Sequence, residues 1–241
     1  MSTTPTPTPT PTPRAAVEDH AAVCRAAWAA GEPRPAYPGG SLMGADLACA
    51  NLTGADLTGA VLTGANLRCA DMRYANLRCA NLRCADMRYA TLTGSDLTGA
   101  TLTCARMTGA DLSGADLIGA WLAGAVMRGA DLSDADMSDA ELTCADMRGA
   151  DLTGATLRGA NLTGADMRGA NLIGAVLTGS DLTGARMTGA HLSGADLTDS
   201  DLTGADLSGA KLTGARLSGL PTTDTTSPPS PAPGRSGQET T

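Results

Sequence analysis

The densest run of ionisable side chains is DLSDADMSDAELTCAD, residues 131 to 146, where Asp131, Asp134, Asp136, Asp139, Glu141 and Asp146 have no basic residue among them. Asp111 and Asp116 precede it in the same rhythm. Carboxylates do acid–base chemistry when two of them share a pocket whose environments push their pKa values apart. These eight are regular and alternate with Ser, Gly and Ala, which is the pattern of a charged surface. The two histidines, His20 and His191, stand apart from any nucleophile motif. Seven cysteines, an odd number without a CxxC pair, make neither a disulfide framework nor a zinc site. We therefore expect no enzyme, no metal and no cofactor. The chemistry left to the carboxylates is recognition of a partner.

A second constellation is basic. Arg68, Arg73, Arg78, Arg83 and Arg88 follow one another in steps of five, with Tyr74 and Tyr89 at corners beside Arg73 and Arg88. Arginines interleaved with aromatics suit single-stranded nucleic acid, whose bases stack on the rings. A net charge of −8 and a pI of about 4.6 oppose phosphate binding by the molecule as a whole. No apolar run approaches the ~18 residues of a membrane span. The opening MSTTPTPTPTPTPR lacks the apolar stretch of a signal peptide. These features predict a cytoplasmic chain with reduced thiols, without membrane contact and without direct nucleic-acid contact.

The element that must position these side chains keeps a beat of five. From Leu42 to Leu217, Leu or Met fills every position ending in 2 or 7, thirty-six in succession. Ala stands two residues earlier, apart from Gly40, Ser95, Ser180 and Ser200. On an α-helix a step of five advances about 140° beyond a full turn, so the leucines would smear around the axis. In an extended segment Ala and Leu, two apart, point to one face, and the residues beside Leu point to the other. The remaining two residues must turn a corner, which suits Gly, or Asp134, Asp139 and Asp199. Each pentapeptide is then one short side of a coil, with Ala and Leu inward and the variable residues in water.

Met87, Met107, Met127, Met147, Met167 and Met187 recur in steps of twenty, and Arg68, Arg88, Arg128, Arg148 and Arg168 keep the same phase. Four pentapeptides per turn is the favoured count, giving about nine coils and, at ~4.8 Å per coil, a rod about 43 Å long. In such a coil the Met column packs a dry core. Arg88, Arg148 and Arg168 share the surface with Asp86, Asp146 and Asp166, two residues before each, in pairs of small energetic weight. Tyr74 and Tyr89 fall in different columns and make no joint stacking platform. Cys49 stacks under Cys69 and Cys84 under Cys104 near disulfide separation, with free thiols expected in the inferred compartment. Thr143, Thr163, Thr183 and Thr203 form a ladder without a second Thr rank beside it, which removes an ice-binding face. Asp111, Asp131 and Asp151 share one column and Asp96, Asp116 and Asp136 the next, carboxylates about 5 Å apart along a rod, as on the charged rail of DNA.

The unit A(D/N)LxG, repeated through residues 40–220, resembles the pentapeptide repeat family. That resemblance implies an all-β chain wound as a right-handed four-sided parallel β-helix, and the handedness comes from it alone. Before the repeats, Val17, Ala21, Cys24 and Trp28 fall at helical spacing, with Thr12 and Pro13 at the entry and Gly31 and Pro33 at the exit. This predicts a short amphipathic α-helix over 14–30 that caps the first coil. The expected organisation is a disordered Thr/Pro tail (1–13), capping helix and linker (14–39), β-helix (40–220) and a second disordered tail (221–241).

The function expected first is a non-catalytic protein-interaction or structural scaffold with a protein partner. The resemblance implies an alternative, because some members of the family act on DNA gyrase as DNA mimics and confer quinolone resistance or toxin immunity. The chain departs from that type. It has no Phe in its core, no insertion loop and no hydrophobic helix after Leu220 of the kind that joins dimers, although a dimer stays open. Arg106, Arg186, Lys211 and Arg216 also interrupt the acidic surface. The candidate partner-binding face is Asp111, Asp116, Asp131, Asp134, Asp136, Asp139, Glu141 and Asp146.

Overall fold

The computed structural model describes residues 12–30, 32 and 41–218. The Thr/Pro tail up to residue 11, most of the linker and the tail at 221–241 lie outside the described residues, as do the side chains of Cys24 and Trp28. Within the repeats, the residue before each Leu or Met pairs in parallel with the residue twenty further on, from Asp46 with Asn66 to Asp196 with Arg216. Leu47 N donates to Asn66 O at 2.7 Å, Asn66 N donates to Ala45 O at 2.9 Å, and this couple of bonds repeats up the rod. Each side is a single bridge wide, so the sides are short rungs between coils and not long strands. Four of them close one coil.

The corners follow from the same hydrogen bonding. Each inward Ala donates its N–H to the Leu carbonyl three residues back, as Ala50 does to Leu47 at 3.0 Å. The residue just before that Ala then takes positive φ, the arrangement of a type II turn, where Gly is unstrained. Eleven described corners carry Cys, Tyr or Asp instead, with φ between 53 and 59°. Each such corner costs about 1–2 kcal/mol against Gly. Two glycines are needed for a further reason. The Tyr74 ring lies 2.9 Å from where a Cβ on Gly94 would stand, and the Tyr89 ring 2.8 Å from the same point on Gly109. Each ring lies over the bare corner of the next coil.

The core is a single column of Ala, Leu and Met. Met107 and Met127 stack on one inner edge, both fully buried, with Met107 N bonded to Val126 O at 2.7 Å. Burial of each such side chain contributes about 1.5–3 kcal/mol. Ser95, Ser180 and Ser200 take inward Ala positions, and their hydroxyls donate at 2.7 Å to the carbonyls of Leu92, Leu177 and Leu197. No polar group is left bare by those substitutions.

Helix α1, Pro13–Ala29, lies across the first coil. Thr12 Oγ1 accepts Ala15 N at 3.3 Å at its start, and Val17 and Ala21 are buried beneath it. Its polar side chains meet the coil's open edge. Arg14 donates to Ala48 O at 2.8 Å, His20 Nε2 meets Asp56 O at 2.9 Å and Arg25 donates to Thr53 O at 3.2 Å. Asn51 N donates to Glu18 Oε1 at 3.4 Å. In every later coil these backbone groups bond to the coil before, so α1 occupies an edge that would otherwise pair with another chain.

The Tyr74–Gly94 contact is testable. Gly114, at φ +60° with nothing within 4 Å of where a Cβ would stand, isolates the backbone strain of a Gly→Ala change. Gly94→Ala is expected to lose roughly a further 1–3 kcal/mol by urea unfolding, the range of overpacking. In a Tyr74→Ala background that excess should vanish. Equal losses at Gly94 and Gly114 would contradict the contact.

Candidate interaction surface

The pairing of each residue with the one twenty on gives the rod four faces. The first carries the column from Asp46 to Asp206, the second Asn51 to Lys211, the third Asp56 to Arg216 and the fourth Val61 to Asp201. The residue after each Leu or Met stands beside its column on the same face.

The Asp or Asn before Leu has a local task. Its Oδ1 accepts the N–H two residues on, as in Asp131 with Ser133 at 2.9 Å, Asp136 with Ser138 at 2.9 Å and Asp116 with Ile118 at 3.1 Å. Where Ser or Thr follows, its hydroxyl joins in, as Ser113 does with Asp111 at 2.6 Å. Asn performs the same backbone task without charge, as at Asn76 with Arg78 and Asn81 with Arg83, both 3.2 Å. The choice of Asp over Asn along residues 111–151 therefore adds charge that the turn does not require.

The eight candidate carboxylates do not share one face. Asp111 and Asp131 stack on the second face with Asp151, and Asp116 and Asp136 stack on the third with Asp96. Asp134 stands at the corner between these faces, over Gly154, and Asp139 at the next corner, 2.5 Å from where a Cβ on Gly159 would be. Glu141 lies on the fourth face, accepting the Thr143 hydroxyl and, at 3.1 Å, Asn161 Nδ2. Asp146 belongs to the first face, where Arg128 Nε reaches it at 2.6 Å and Arg148 Nε at 2.9 Å. It is thus enclosed by cations although none stands within its acidic sequence window. A window of sixteen residues fans around most of a coil, so neighbours in sequence face different ways.

Charge separates by face. Seven of the thirteen basic residues in the repeats stand on the first face, namely Arg68, Arg88, Arg106, Arg128, Arg148, Arg168 and Arg186. They form a ladder with its carboxylates, including Arg88 to Asp86 at 2.5 Å and Arg168 to Asp166 at 2.6 Å. On the second and third faces no Arg or Lys occurs between Thr91 and Thr156. Over this stretch two acidic faces stand side by side, and the mixed first face adjoins the second and lies opposite the third.

The basic girdle does not assemble into a site. Arg73 is held by Asp71 at 2.6 Å, Arg88 by Asp86, and Arg78 by Asp96 at 3.3 Å. Tyr74 and Tyr89 occupy different corners. The six described cysteines are exposed and free. Among the described residues no His, Cys, Asp and Glu group is arranged to hold a metal ion, and no helix is long and apolar enough to cross a membrane.

Sequence reasoning misses one exposed feature. Trp121 stands outward on the fourth face and Ile118 outward on the third, the two flanking the Gly119 corner. A signal exists: Trp occupies a position that elsewhere carries mostly Asp, Asn or Thr.

The repeats match the family described as pentapeptide repeats in eight copies, over stretches running from 45–83 to 180–219. The chain is a pentapeptide repeat protein. Membership supplies the hand of the coil, because pentapeptide repeat proteins wind as right-handed β-helices. HetL, a pentapeptide repeat protein involved in heterocyst differentiation regulation from the cyanobacterium Nostoc sp. strain PCC 7120, is 35% identical. The match covers 81% of this chain and 92% of HetL, with a TM-score of 0.41. A trypsin-treated form of QnrB1, a plasmid-mediated fluoroquinolone resistance protein, is 22% identical over 67% of this chain and 84% of its own, with a TM-score of 0.52. That is a likeness of fold alone. No curated protein matches the chain.

In this pentapeptide repeat protein the surface pairs set an acid limit. The Arg88 and Arg168 guanidiniums hold Asp86 and Asp166 below the usual 3.8, and Arg73 does the same for Asp71. The hydroxyl and N–H of Ser208, with the Thr188 hydroxyl, bring Asp206 to about 2. Such carboxylates bind protons more readily in the unfolded chain, so their stabilisation is complete above the unfolded value and is lost as pH falls through the folded values. Thermal unfolding should be level from about pH 8 to 5 and fall below about pH 4. A midpoint that rises on acidification through that window would contradict these pairings.

Proposed function

We propose that this protein is a non-catalytic interaction scaffold whose second and third faces dock a basic surface on a protein partner. The observation that carries the reading is the pair of carboxylate rows, Asp111–Asp131–Asp151 and Asp116–Asp136, which run side by side without a basic residue among them. Like charges stacked at the coil spacing of about 4.8 Å repel one another, and Asn would satisfy the same turns. A cationic partner offsets that repulsion on docking. At physiological salt the reach of these charges is about 8 Å, so recognition is short-ranged and weakens as salt is added.

A second reading is a DNA-mimicking modulator of DNA gyrase or a related topoisomerase, of the quinolone-resistance or immunity type. Two observations favour it: the paired acidic rows on a narrow rod, and the fold shared with a fluoroquinolone resistance protein. The cations of the first face limit the mimicry to one flank of the rod.

Changing Asp111, Asp116, Asp131 and Asp136 to Asn removes four of the five carboxylates of the rows and keeps the turns, since Asn66, Asn76 and Asn81 accept the same N–H. Wild type immobilised against a host extract is expected to retain a partner that elutes with salt, and the Asn variant to retain none of it. Retention unchanged in the variant would overturn the docking face. In a gyrase supercoiling assay, inhibition by wild type that is lost in the variant selects the second reading, and no inhibition by wild type leaves the scaffold.

A further inference from the structure

Trp121 is the largest side chain presented outward by the repeats and is 57% exposed, on a face where Asn, Asp, Glu or Thr fills most equivalent positions. Ile118, 36% exposed, stands across the Gly119 corner, and a methyl at that corner would meet nothing within 4 Å. The two side chains therefore flank an open, unshielded ridge. Their backbone is fixed: Trp121 N donates to Ala100 O at 2.9 Å and Trp121 O accepts Leu102 N at 2.7 Å. Ala123 and Gly124 follow on the fourth face and leave the indole without a bulky neighbour along its own strand. An exposed indole on a rigid base loses little conformational entropy when it is covered, which is the property of an interface anchor.

The rim determines what covers it. Asp116 lies on the same coil as Ile118, and the next coil places Asp136 beyond Asp116, Glu141 directly beyond Trp121, and Asp139 at the corner that follows Gly119, with its carboxylate leaning onward to Gly159. An apolar centre with a polar rim is the usual anatomy of a protein interface. The four nearest rim charges are all carboxylates, and the first cation beyond them on the third face, Arg158, stands two coils from Ile118. A hydrophobic or acidic surface would leave these four carboxylates unpaired or repelled, whereas a basic one pairs them.

We propose that Trp121 and Ile118 form the anchor for an arginine-rich segment of a protein partner, with a guanidinium stacked on the indole and its neighbours paired to Asp136, Asp139 and Glu141. This rests on the reading that the acidic faces dock a basic protein surface, and it names the point of attachment. Arg fits better than Lys because its planar, weakly hydrated fork lies flat on an aromatic face while bonding carboxylates at its edge. The ridge lies where the third face meets the fourth, so the segment runs along the corner between them. It avoids the first face and its arginines.

The probe is a nonaarginine peptide, compared with nonalysine, titrated into the full chain with Trp28 replaced by Phe so that Trp121 is the sole indole. Wild type should bind nonaarginine more tightly than nonalysine, with a change in Trp121 fluorescence. Trp121→Ala should weaken nonaarginine about tenfold, the factor expected for loss of a partly desolvated cation–π contact. Because position 121 points outward, that variant should keep the wild-type unfolding midpoint. The triple change Asp136→Asn, Asp139→Asn, Glu141→Gln should weaken both peptides and flatten the salt dependence. If Trp121→Ala binds like wild type while the four-Asn variant of the second and third faces loses binding, the anchor is overturned and the docking face stands. If the four-Asn variant also binds like wild type, both fall. A wild-type chain that self-associates in sedimentation and is dispersed by Trp121→Ala, without binding nonaarginine, would assign the ridge to a second copy and overturn the proposal.

Discussion

The whole molecule depends on the backbone hydrogen bonds that tie each coil to the next. Leu47 to Asn66 and Asn66 to Ala45 recur with the same partners twenty residues apart through the rod. A single bridge on each face leaves no slack, because a slipped residue would turn an inward Leu outward. This explains why the register from Leu42 to Leu217 has no insertion. It also explains α1. The first coil has no predecessor, and Arg14, Glu18, His20 and Arg25 supply the partners that a coil would have supplied.

The same register makes the surface a set of straight columns, so a choice made at one position is felt by the residue twenty away. On the first face this produces alternating charge and a ladder in which Arg148 lies near both Asp146, at 2.9 Å, and Asp166, at 3.8 Å. On the second and third faces it produces like charges in rows. The aromatic corners obey the same rule, since Tyr74 and Tyr89 need Gly94 and Gly109 beneath their rings. Folding fixes the inward two residues of each five and leaves the outward ones to recognition.

Most of the architecture was legible because inward positions are nearly invariant. Ala and Leu two apart implied a short extended side, and the Met column implied the twenty-residue period that the bridges display. The assembly of the surface was much less legible. Asp146 lies in an acidic stretch of sequence, yet its nearest charges are Arg128, eighteen residues earlier, and Arg148. Spatial neighbours are one coil apart, and a linear reading groups residues that fan around the axis. Trp121 was overlooked for a different reason: its signal is a single aromatic in an outward slot, which adds no charge and leaves the inward Ala–Leu rhythm intact. The hand of the coil left no trace in the periodicity and came with the family.

The central claim is that residues twenty apart stand in straight rows, because both the acidic faces and the Trp121 ridge are assembled by that stacking. Distances between spin labels test it directly. With the native cysteines replaced, those at corners by Gly, one label pair is placed at Ser113 and Ser193 and another at Thr93 and Ser193, all on the second face. At about 4.8 Å per coil these pairs stand about 19 Å and about 24 Å apart along the axis. The account predicts narrow distributions whose means differ by about 5 Å, the length of one coil. Equal means, or labels that fall on different faces and give broad distances, would contradict it.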